Sequence, residues 1–73
     1  MELAIKITNK VFCYQLIGFE KNIIYDTNNR SLILTDANTG APLKIVEKDQ
    51  DLDFKVFVSV ARNIYLALVE YSN

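Results

Sequence analysis

The chain has 73 residues, 51% of them hydrophobic, with two glycines and one proline; that balance belongs to a globular chain and excludes a disordered one. A net charge of −1, with the eight lysines and arginines scattered along the chain, argues against nucleic acid as a default partner. One cysteine rules out an intrachain disulfide, and the lack of histidine removes the usual zinc donors and the usual base for a nucleophile.

A chain this short buries a limited share of its surface, so one domain over residues 1–73 is expected, supported by a well-packed core or by association with another chain. Glu2, Lys6 and Lys10 break up the opening, unlike a secretory leader, and no apolar run reaches the roughly 18 residues of a membrane span. A free thiol without secretion signals suits a reducing cytoplasm, which is the expected location.

Residues 2–47 read as strands. Leu3, Ile5 and Ile7 alternate with Glu2, Ala4, Lys6 and Thr8, the pattern of a half-buried strand. Asn9-Lys10 is then a tight connection into "VFCYQLI", which is rich in β-branched and aromatic residues. Here Phe12, Tyr14 and Leu16 share one face, and Val11, Cys13, Gln15 and Ile17 share the other. Gly18 ends the run, and "FEKN" is a loop. "NIIYDTNNRSLILT" predicts a hairpin about a two-residue Asn28-Asn29 turn, because asparagine tolerates the left-handed backbone. That register sets Tyr25 opposite Leu32 and Ile23 opposite Leu34, with Ile24 and Ile33 paired on the other face.

In "LILTDANTGAPLKIV", Asp36 is placed to accept from backbone amides two and three residues on, and Gly40 supplies a left-handed position. Pro42 opens the next strand, where its missing amide does least harm. The run resembles the strand–turn–strand of one β-propeller blade over about a fifth of the chain, but several blades are needed and are missing, so nothing is carried over. The segment reads as a turn.

An acidic linker, residues 48–53, leads into a predicted C-terminal helix over 53–71. At about 100° per residue, Lys55, Ser59, Arg62, Asn63, Glu70 and Asn73 form one polar arc, broken only by Leu66. Phe54, Phe57, Val58, Ala61, Ile64, Tyr65 and Leu68 face away from it. "FKVFVSV" also alternates like a strand, and a hairpin about Ala61–Asn63 competes; the helix is preferred because the polar arc persists to the end. Asp49, Asp51 and Asp53 sit where acids cap a helix or favour its dipole. "DQDLDF" imitates half a calcium loop, but Phe54 and Val60 stand where the glycine and the bidentate acid belong. With no phosphate-binding glycine loop and no fixed acid–base pair, no catalytic residue, metal site or cofactor is expected.

The helix is apolar around most of its girth, and Ile24, Ile33, Cys13 and Ile17 point to the face opposite the helix. This surplus points to a second layer from another chain. The expected fold is α+β: an antiparallel meander of four to five strands with one C-terminal helix, a small all-β barrel being the alternative. The expected function is non-catalytic protein binding of the inhibitor or adaptor type, with homo-oligomerisation. A phage- or mobile-element-encoded inhibitor of a bacterial protein is one form of it; an oligomeric nucleic-acid or nucleotide binder is the rival. Candidate partner contacts are Tyr65 and Tyr71 as aromatic anchors and Asp49, Asp51 and Asp53 as steering charges.

Overall fold

The computed structural model describes residues 2–47 and 51–72. Its strands are β1 (Glu2–Lys6), β2 (Val11–Leu16), β3 (Lys21–Asp26), β4 (Ser31–Asp36) and β5 (Pro42–Glu47), followed by the helix α1 (Phe54–Ser72). Each strand pairs antiparallel with the next, in the order β1-β2-β3-β4-β5, and the sheet stays open. The α+β meander is therefore the observed architecture, and the barrel alternative is not. Residues 56–69, which could have formed a further hairpin, are helical.

The β3–β4 register is the expected one: Tyr25 opposite Leu32, Ile23 opposite Leu34, and Ile24 opposite Ile33. The turn differs. The ladder closes at Asp26–Ser31, so four residues connect the strands, and Arg30 (φ 53°), not an asparagine, takes the left-handed backbone. The Asp26 carboxylate accepts from Asn28 N–H at 2.9 Å, and its carbonyl accepts from Arg30 N–H at 3.0 Å. The next turn repeats this arrangement. Asp36 Oδ1 accepts from Asn38 and Thr39 N–H at 2.8 and 3.1 Å, and Gly40 (φ 75°) donates to the Asp36 carbonyl at 2.8 Å. The Asn38 amide first, then the Thr39 amide, hold the Asp36 carboxyl below the usual carboxylate range. Positive-φ residues stand at Gly18 and Glu20, at Arg30 and at Gly40, in the last three turns of the meander.

The first turn departs most from expectation. Ile7 and Thr8 N–H both donate to the Val11 carbonyl, at 3.0 and 3.1 Å, so two residues oppose one. Thr8 Oγ1 accepts from Lys10 and Val11 N–H, both at 3.0 Å, and closes a loop one residue longer than Asn9-Lys10 alone. β1 is thereby shifted by one residue, with Ala4 opposite Tyr14 and Ile5 opposite Cys13. The apolar side of β1 turns away from the helix, leaving Ala4 against the core.

The core lies between the sheet's inner face and α1: Phe12, Tyr14 and Leu16 from β2, Ile23 and Tyr25 from β3, Leu32 from β4, and Leu52, Phe57 and Ala61. Asp53 stands just outside the helix and caps it, Oδ1 accepting from Val56 N–H at 2.8 Å. Phe57 stacks on Tyr25 with ring centroids 6.2 Å apart, and Phe12 meets Phe54 edge-on at 5.3 Å. Leu52 is buried beside them, and its N–H donates to the buried Tyr25 hydroxyl at 3.1 Å.

Tyr25→Phe keeps the ring and strands the Leu52 N–H. Urea titration should show a loss of about 1–3 kcal/mol with an unchanged m-value. At Gly40 an added Cβ meets nothing within 4 Å, so only the backbone resists it. Gly40→Ala should cost about 1–2 kcal/mol by the same titration, the left-handed penalty alone.

Candidate functional site

One helix about 10 Å across covers only part of a sheet whose five strands span about 19 Å between outer axes. α1 packs chiefly on β2. Beside it, on the inner face, a half-open apolar hollow of about 110 Å³ is lined by Ile23, Leu32, Leu34, Lys44, Val46 and Ile64. No described element covers the other face at all.

That outer face is ordered by register. Ile5, Cys13, Ile24, Ile33 and Ile45 stand opposite one another across all five strands, forming one straight apolar row. On one side of it run Leu3, Gln15, Asn22, Thr35 and Pro42; on the other, Val11, Asp26, Ser31 and Glu47. By strand alternation Leu43 joins this face, and Ile7 and Ile17 continue it just past the ends of β1 and β2. Leu3, Ile7, Ile17, Leu43 and Ile45 are each between 47% and 59% exposed, so most of the large exposed hydrophobics of the described residues lie here. Alternation puts the strand lysines Lys6, Lys21 and Lys44 on the inner face, and the three outer rows contain no cation.

Cys13 is second in the row, between its registered neighbours Ile5 and Ile24, and is buried. Burial pushes its thiol up, away from the reactive thiolate. On the inner face, burial raises the Tyr14 phenol, and the neighbouring Glu2 carboxylate raises it further. Among the described residues no three His, Cys, Asp or Glu side chains are grouped to hold a metal ion. Among the described residues no helix is long and apolar enough to cross a membrane.

The residues singled out in the sequence do not converge. Tyr71 is 89% exposed at the far end of α1. Tyr65 is half-buried, its ring edge-on to Phe19 at 5.9 Å. Asp51 pairs with Arg30 at 2.8 Å, and Asp53 is occupied as the helix cap. Asp49 lies outside the described residues. A 19-residue helix rising about 1.5 Å per residue separates Tyr71 from the two aspartates by most of its length. The outer-face residues of β1 and β5 were not singled out; the signal that could have found them is the clean "LAIKI" alternation, once its face is known.

Comparison with protein-family models, with curated proteins and with solved structures finds no match.

Cys13 should react slowly with a thiol reagent at pH 8, at least about tenfold slower than in urea, since the folded thiol is shielded and protonated. Its folded pKa lies above the unfolded value, so its contribution to stability is intact below about pH 8.5 and is lost as pH rises beyond it. Denaturant midpoints measured across the alkaline range check the sign.

Proposed function

We propose that this chain is a small non-catalytic protein that acts by binding protein, as an inhibitor or adaptor does, and that the outer sheet face is its contact surface. The observation that supports this reading is the apolar row Ile5–Cys13–Ile24–Ile33–Ile45, edged by exposed Leu3, Ile7, Ile17 and Leu43. Soluble monomers rarely leave a contiguous apolar area of this extent open to water, and such areas mark contact sites. The chemistry of the face agrees: its rows hold no nucleophile–base pair, their one thiol is shielded, and they offer no cation to a phosphate backbone. Lys6, Lys21 and Lys44 stand in three different rows of the inner face, so within one chain they form no basic stripe. A small inhibitor of a bacterial protein, of the kind phages and mobile elements carry, is the form that fits the chain's size and asparagine-rich composition.

The test uses two baits, the native chain and a Leu3→Lys/Ile45→Lys variant altered only at exposed positions. A protein retained by the first, identified and purified, should bind the variant at least about tenfold more weakly. Equal binding to both baits, or no protein retained by either, another copy of this chain included, overturns the reading. A shift of nucleic-acid mobility that fades with salt would move the chain to the nucleic-acid class.

A further inference from the structure

We infer that the outer face is covered by a second copy of this chain, in an isologous dimer whose two-fold axis runs across the strands along the row Ile5–Cys13–Ile24–Ile33–Ile45. The inference rests on the reading of this face as a protein contact and names what occupies it.

Width is the first argument. A single helix about 10 Å across would leave about half of a sheet this wide uncovered, whereas another sheet of equal width covers it whole. Five strands about 4.8 Å apart and six residues at about 3.4 Å each give a footprint of roughly 24 by 20 Å. Its flat area of about 480 Å² is a lower bound on what each partner would bury, against roughly 800 Å² per partner for a standard stable interface. Against a total surface of 4988 Å², that is a large share for one chain to commit. The row is apolar from edge to edge, as the centre of such an interface needs to be.

Charge fixes the orientation. Among the residues of the three rows, Asp26 is the one charge on the central strand, two residues from Ile24, while the other acid, Glu47, stands in register on the edge strand β5. Asn22 sits two residues from Ile24 on the other side. An axis along the strands would lay Asp26 of one copy over Asp26 of the other, bringing like charges together in a desolvated layer. An axis along the row reverses the strands of the partner. Asp26 of each copy then faces Asn22 of the other, a carboxylate opposite an amide donor, twice per dimer. Sheets packed face to face lie about 10 Å apart and cross at about 30°, a gap two such side chains bridge. Gln15 falls opposite Val11, and Thr35 opposite Ser31, with no further charge opposed. Both helices end on the outside, giving four layers in the order helix, sheet, sheet, helix.

The experiment is sedimentation velocity with light scattering, from about 1 to about 200 µM. The native chain should show twice its 8.4 kDa. Leu3→Lys/Ile45→Lys should show a monomer with an unchanged circular dichroism spectrum. Asn22→Asp, which opposes two carboxylates, should weaken the dimer at least about tenfold at low salt, and adding Asp26→Asn should restore it by exchanging the partners. Asp26→Asn keeps the side-chain oxygen that holds its turn. A native monomer across the range overturns the inference; if that monomer still binds a different protein and loses it in the lysine variant, the reading of the face stands. A dimer unmoved by the two lysines uses another surface and also overturns it. Tightening by Asp26→Asn alone means that the axis runs along the strands.

Discussion

The placement of the helix on the sheet turns on one hydrogen bond, from the backbone N–H of Leu52 to the buried hydroxyl of Tyr25. A buried amide without a partner is costly, so the chain entering the helix is fixed at this point of the sheet. Asp53 then caps the helix, and one turn later Phe57 lands on the Tyr25 ring. The helix axis follows from these three contacts. It lies over β2 and leaves the inner face beside β5 half-open. Tyr25 thus contributes twice, with its ring to the packing and with its hydroxyl to the placement of the linker.

The sheet's two faces have different fates for a reason of size. One helix of 19 residues can cover one face in part, and the chain holds no second layer among its described elements. The outer face nevertheless has an apolar row as continuous as the inner core. Its straightness comes from the regular meander. Strands of five or six residues joined by short turns keep the register aligned across the sheet, so like residues stand opposite one another from β1 to β5. The turns that enforce this use aspartate carboxylates to hold backbone amides, and they accept left-handed backbone at Glu20 and Arg30, where an L side chain is strained. Backbone bonds between neighbouring turns, Thr27 N–H to the Lys10 carbonyl and Ala37 N–H to the Glu20 carbonyl, tie these turns to each other. Local strain is in this way held by a network that also fixes the register of the outer face.

A functional reading follows from what the surface lacks as well as from what it has. The proposed contact face is apolar at its centre and polar on either side, with Asp26 and Glu47 as the acids of its three rows and no cation among them. Of the acidic residues named from the sequence, Asp51 stands beside Arg30 and Asp53 at the helix start. Aromatic Tyr65 is engaged with Phe19, and Tyr71 remains an isolated exposed ring at the helix end.

The sequence by itself determined the meander, the helix, the central hairpin's register and the identity of the buried β2 face. Each rests on a local rule: alternation at period two, a polar arc at period 3.6, or an aspartate placed to hold the amides that follow it. It also put Ile24, Ile33 and Cys13 on the face away from the helix. Tertiary structure alone decided that Leu3 and Ile5 join them. The alternation of β1 is equally good for either face, and the choice turned on whether Thr8 belongs to the strand or to the loop. Its hydroxyl accepts from Lys10 and Val11 N–H, which draws it into the loop and shifts the pairing by one residue. A shift of one residue exchanges the faces of a strand. The proposed contact surface was therefore half legible, because the difference between core and surface for β1 lay in one side-chain hydrogen-bond arrangement at a turn, which no periodicity records.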